Sequence, residues 1–209
     1  MFRYNPDNKV IFILTKCADM LLATFFWLLL CVPVLTAGAA TSALYTLVWR
    51  IYDGQDVRIT REFFSAFRKN FWVSTGAWVL TLVAGMILCA NMYACRLMDG
   101  SAGLYGIMKG STVCFALVFL AGLTFLFPGI ARYKVTVCQA LKNSVLFAFR
   151  YWKVTAGALV LVVCSGLLLY FLEWYSIVLL APNVYLHGVL LDRSFQEYER
   201  CAFAQVHPE

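Results

Sequence analysis

The chain has 209 residues, of which 62% are hydrophobic and 13% charged, about half the charged share of a soluble domain. So few charges cannot cover a folded surface in water, so lipid is the expected solvent, and the length suits one helical bundle with no separate soluble domain. The net charge of +6 comes from Lys and Arg set between apolar runs, as membrane-flanking cations are; with no basic arm or recognition motif, it excludes nucleic acid as a partner.

The opening MFRYNPDNKV is polar and turn-like, and Asp7 or Asn8 is placed to cap a first helix. From Met20 to Trp49 no residue is charged. That run is too long for one straight span of about 20 residues and too short for two spans and a turn. It therefore reads as one span with an interfacial helix after Pro33, or as a tight two-helix hairpin. Lys16 and Asp19, three apart on one face, can pair at the edge of the run. Ala37-Gly38-Ala39 resembles a leader cleavage site, but Asp7, Asp19 and the late Pro33 favour an uncleaved first helix. After Pro33, the small residues Gly38 and Ser42, and Ala39 and Ala43, stand four apart and predict close helix packing.

Arg50 to Asn70 carries Arg50, Arg58, Arg61, Arg68 and Lys69, with Phe63, Phe64 and Phe67 on one helical face. This predicts an amphipathic helix on the membrane surface or against a partner. Phe71 to Cys95 is the next uncharged run, followed by a Gly-rich connection. The sequence around Lys109-Gly110-Ser111 resembles a phosphate loop, but Lys precedes Gly, so that reading fails. Gly110 to Ala131 predicts a further span ending near Pro128. A second basic segment holds Arg132, Lys134, Lys142, Arg150 and Lys153, with Leu141, Val145, Phe149 and Trp152 forming its apolar stripe. Two uncharged runs separated by Glu173 then predict a helical hairpin before a polar tail.

The fold class expected is all-α, a polytopic membrane bundle of about five spans, with six the alternative. The spans are 18–36, 71–95, 108–130, 153–172 and 174–191; interfacial segments cover 37–70 and 132–152. Residues 69–80 (KNFWVSTGAWVL) resemble 150–161 (RYWKVTAGALVL), pairing Gly76 with Gly157. With Pro33 and Pro128 taken as matching, this suggests an internal two-fold repeat. Positive-inside counting puts both basic segments and the C-terminus in the cytoplasm.

Candidate residues follow from these faces. Gly38, Ser42, Ala39, Ala43, Gly76 and Gly157 are candidates for helix packing. Arg58, Arg61, Phe63, Phe64, Phe67, Arg68 and Lys69, with Lys142, Phe149, Arg150, Trp152 and Lys153, are candidates for lipid or partner contact. Lys16, Asp19, Asn91 and His187 are the polar candidates at membrane depth. The eight cysteines form no CxxC and read as small apolar side chains, with no metal, cofactor or disulfide framework implied. With only two histidines and no hydrolase or metalloprotease motif, no enzyme is expected.

Two stretches carry a resemblance: PVLTAGAATSALY at 33–45 and FFSAFRKNF at 63–71. Together with the spacing of the later runs, they resemble the bacterial YesL family, also called the domain of unknown function 624. Trp27 is kept from that family's first span, but Ala23-Thr24-Phe25-Phe26 stands where the family often has an Asn. The resemblance implies a multi-pass bacterial inner-membrane protein from a family commonly encoded near carbohydrate ABC transporters and sugar-responsive regulators. It implies no catalytic residue. The expected role is a non-enzymatic accessory subunit in carbohydrate uptake, with the bilayer, a transporter complex or further copies of itself as partners. The alternatives are a small transporter or channel and, least favoured, an interfacial enzyme on lipid-linked substrates.

Overall fold

The computed structural model describes residues 9–53, 58–97, 102–172 and 176–206, and among these every regular element is helical. They are α1 (Lys9–Cys31), a 3-10 turn (Val34–Thr36), α2 (Ala37–Tyr52), α3 (Ile59–Leu97), α4 (Ala102–Arg132), α5 (Val137–Arg150), α6 (Trp152–Leu172) and α7 (Ser176–Val206). The all-α bundle expected from the sequence is observed. Two helices, α3 and residues Gly106–Arg132 of α4, are each long and apolar enough to cross a bilayer. Residues Val137–Arg150 with Trp152–Cys164 make a third candidate, bent by 102°.

Helix α1 stops at Cys31, short of the expected 36, because Pro33 has no N–H to donate and disfavours helix at Val32. The Thr36 hydroxyl collects the carbonyls left over, donating to Leu30 O and to Pro33 O. The chain then reverses into α2, so the hairpin reading of residues 20–49 is the one adopted. Helix α2, the first part of the expected interfacial segment 37–70, lies at the centre of the bundle. It buries Ala39, Ala40, Ala43, Leu44, Leu47 and Val48 among α1, α3, α4 and α7. Nearly every side of α2 is apolar or small, so no face is left for water.

From Ile59 on, the amphipathic surface helix expected within 50–70 is not a separate element. It is the first third of α3, a continuous helix of 39 residues, about 58 Å long at 1.5 Å per residue. No Pro or Gly occurs between Ile59 and Thr75 to bend it. The length of α3 is about twice the thickness of a bilayer core of about 30 Å. Helix α4 likewise runs through Pro128 instead of ending there, which deprives the Thr124 carbonyl of its usual donor. The four-residue turn after Arg132 sends α5 back along α4, bringing Val145 and Ser144 against Gly122. Gln139 accepts from the Thr136 N–H at 3.1 Å and fixes the start of α5.

Burial agrees in part with the expected repeat. In the register that pairs Gly76 with Gly157, the buried residues Ile59, Phe63, Ala66, Ser74 and Ala77 fall on Ala140, Ser144, Phe147, Thr155 and Ala158, all buried too, whereas Thr81, buried, falls on the exposed Val162. Pro128 then falls opposite Leu47, not Pro33, so the two prolines are not equivalent. The copies differ at one point. The first is straight through α3, whereas the second breaks at Tyr151 between α5 and α6.

Candidate functional site

About three turns of α7 present Gly188, Asp192, Phe195 and Glu199 along one stripe at helical spacing. Helix α2 meets that stripe with Tyr45 and Trp49, one turn apart, and α4 ends on it with Arg132. The close approach rests on Gly188. A Cβ there would sit 2.7 Å from Val48 Cγ1, and without one the Trp49 indole N–H donates to Gly188 O at 3.3 Å.

Arg132 is the hub. Its Nε and Nη2 donate to the two Glu199 carboxylate oxygens at 2.8 and 3.1 Å, a bidentate fork that a lysine could not make. Nη1 donates to the buried Asp192 carboxylate, whose other oxygen accepts from Gln196 Nε2. The guanidinium also lies 5.4 Å from the Trp49 ring and 5.6 Å from the Phe195 ring, within cation–π range. The Tyr133 phenol donates to Glu199 Oε1 at 3.1 Å. The hydrogen bond from Arg132 holds the Glu199 carboxyl below its ordinary range. Burial, reinforced by Glu199, pushes the Tyr133 phenol up. One half-buried cation thus ties α4 to α7 through two carboxylates.

Deeper along α7, His187 is buried and its Nδ1 is 2.8 Å from the Tyr45 hydroxyl. Its Nε2 is buried with no hydrogen-bond partner among the described residues. A group left so costs about 1–3 kcal/mol.

The other candidates are distributed elsewhere. Gly38, Ala39, Ser42 and Ala43 are buried against α3 and its neighbours; a Cβ on Gly38 would lie 2.6 Å from Trp78 Cβ and 2.8 Å from Ser74 O. The Ser74 hydroxyl donates to Ser42 Oγ at 2.9 Å. Gly76 faces Val137 of α5, and Gly157 faces Leu190 of α7. Arg58, Arg61, Arg68, Lys69, Lys142, Arg150 and Lys153 are exposed, as are Phe64, Phe149 and Trp152. Phe67 is half-buried. Phe63 departs from its expected place at the surface: it is fully buried beside Phe26 and Phe64, since it turns toward α1 and α2. Lys16 reaches across to the C-terminal end of α2, donating to Ile51 O at 3.3 Å, where a cation opposes the helix dipole. Asp19 is half-buried one turn further on, and Asn91 is exposed on α3, away from His187.

The sequence reading missed Tyr45, Trp49, Gly188, Arg132, Asp192 and Glu199 as a group. The available signal was the 188–192–195–199 spacing at the end of an apolar run, which continues into the tail as one helix. Among the described residues, no three His, Cys, Asp or Glu side chains come together as a metal site.

The model of a family described as "Protein of unknown function, DUF624" matches residues 20–92. The match covers the second half of α1, all of α2 and most of α3, including the two stretches that carried the resemblance, and it includes Tyr45 and Trp49 but not Arg132 or α7. No curated protein matches the chain, and no solved structure does.

Proposed function

We propose that this membrane protein is a non-enzymatic accessory subunit that docks against another membrane protein of a carbohydrate-uptake system. In this reading it sits in a bacterial inner membrane with both basic segments and the C-terminus in the cytoplasm. The observation that carries the proposal is the face around the α5–α6 break. There Leu146, Phe149 and Trp152 are each more than 60% exposed beside the exposed cations Lys142, Arg150 and Lys153. Large aromatics bordered by cations are the anchors that interfaces favour. The internal tie through Arg132 supports a scaffold role, because it is occupied by the protein's own carboxylates.

The test is purification in mild detergent from cells that co-express a carbohydrate permease encoded beside it. The permease is expected to co-elute with the wild-type chain and to be lost with Phe149→Ala/Trp152→Ala. Recovery of the chain alone, while known permease complexes survive the same detergent, counts against the proposal.

A second reading, a solute path of the protein's own, is favoured by the His187 Nε2, buried with no partner among the described residues, and separately by the break between α5 and α6. Broken helices within repeats are a transporter device. Purified protein in liposomes would then show solute flux that His187→Ala abolishes. Absence of flux across a broad solute panel removes this reading.

A further inference from the structure

The contacts that fix the α1–α2 hairpin against α3 fall on one stretch of that helix. Toward the open end, Arg50 pairs with Glu62, Lys16 donates to Ile51 O, and the Phe26 ring lies 5.9 Å from that of Phe63. Midway, the Ser74 hydroxyl donates to Ser42 Oγ. At the tip, the Trp78 indole N–H donates to Val34 O at 2.7 Å. Glu62 and Trp78 stand about 24 Å apart along α3 at 1.5 Å per residue. Trp78 is in turn about 14 Å from Lys69 and about 27 Å from Arg96.

We infer that, with α3 crossing the bilayer through its uncharged run 71–95 as the membrane reading above requires, α1 and α2 form a re-entrant hairpin. It enters from the basic side of α3, turns at Pro33 among the acyl chains, and leaves by the same side. Two full spans would have to surface near Arg96, and α2 is too short for that. Its 16 residues reach about 24 Å against a core of about 30 Å. Charge is distributed accordingly: Lys16, Asp19 and Arg50 stand toward the open end, and no residue from Met20 to Trp49 is charged. The tip is apolar where a turn in water would be polar, with Val32, Val34 and Leu35 exposed by 78%, 61% and 59%. Its backbone suits lipid as well, because polar groups at membrane depth must be satisfied within the protein. Between α1 and α2 only Val32 and Pro33 lie outside a helical turn, and Pro33 has no N–H to satisfy. The Thr36 hydroxyl donates to the Leu30 and Pro33 carbonyls, and Trp78 donates to that of Val34. The partner this surface fits is the acyl layer of the leaflet on the basic side. Residues 18–36 then do not cross, and the N-terminal end of α1 shares a side with Arg50 and Arg61.

The test is labelling of the full-length chain with an impermeant maleimide in intact cells and in inside-out vesicles, one cysteine at a time with the other native cysteines replaced. Arg61→Cys and Arg96→Cys first establish that α3 crosses, by reacting from opposite faces. Native Cys17, which is exposed, and Tyr52→Cys should then both react from the face that labels Arg61→Cys. Val34→Cys should react from neither face. A nitroxide attached to Val34→Cys in detergent, before reconstitution into liposomes, should be relaxed more by oxygen than by a water-soluble nickel chelate. Reaction of Cys17 and Tyr52→Cys from opposite faces, reaction of Val34→Cys from either face, or stronger relaxation by the nickel chelate would each overturn the inference. Labelling of Arg61→Cys and Arg96→Cys from one face would instead overturn the crossing of α3, and the re-entrant hairpin with it.

Discussion

Gly38 and Gly110 both lie within helices, and what surrounds each decides what an added methyl would do. At Gly38 the new Cβ would meet the Trp78 Cβ and a backbone oxygen of Ser74 inside 3 Å, so the helices must separate. Gly38→Ala is expected to cost about 1–3 kcal/mol as overpacking. At Gly110 the Cβ would meet nothing within 4 Å, and Gly110→Ala should instead stabilise by about 0.5–1 kcal/mol through helix propensity. Thermal unfolding of both variants in one detergent checks the opposite signs. Glu199 adds a pH dependence. Its carboxyl is depressed in the folded chain by the hydrogen bond from Arg132, so its stabilisation is present above the ordinary carboxylate range and is lost as pH falls through the depressed value. The burial-raised phenol of Tyr133 acts at the other end, favouring the fold below about pH 10 and losing that contribution above it. Melting temperature against pH should therefore fall at both extremes, and Glu199→Gln should flatten the acid limb. The Gly38–Ser42 packing was legible in the sequence because small residues four apart are a local pattern. The Arg132 hub was not, since its carboxylates are 60 and 67 residues away and only the fold brings them together.

At the scale of elements, the two halves of the repeat pose one question: why the first is straight and the second bent. Two hydroxyls in equivalent places give the answer. Ser74 donates sideways to Ser42 on α2 and leaves the α3 backbone ladder intact. Thr155 donates to Ala148 O at 2.9 Å and to Tyr151 O at 3.0 Å, satisfying a carbonyl that the break at Tyr151 has freed. Thr155→Val should orphan that carbonyl at a cost of about 1–3 kcal/mol, while Thr155→Ser should be nearly neutral; denaturation midpoints of the two variants distinguish them. Element existence and type were largely readable from the uncharged runs and the basic segments. The break in α1 was readable too, because Pro33 is a local signal. That α3 is continuous from Ile59 was not, since an amphipathic segment reads alike whether it lies flat on a surface or extends a span. The burial of α2 also escaped, because a short run of small and apolar residues is compatible with an interface or a core until its four neighbours are known.

For the whole molecule, the length of α3 makes a statement about the membrane. A helix of about 58 Å across a core of about 30 Å must put Arg61 and Arg96 on opposite sides. Arg61→Cys and Arg96→Cys, each in a background with the native cysteines replaced, should react with an impermeant thiol reagent from opposite faces of the membrane, Arg61→Cys from the cytoplasm. Labelling of both from one face would refute the crossing. The most direct measurement of the proposed role is a photo-crosslinking amino acid at position 149, irradiated in native membranes and read by mass spectrometry. The account predicts a covalent adduct with a carbohydrate permease, and no such adduct from a probe at the buried position 195. Adducts at 149 confined to lipid or to further copies of this chain would contradict it.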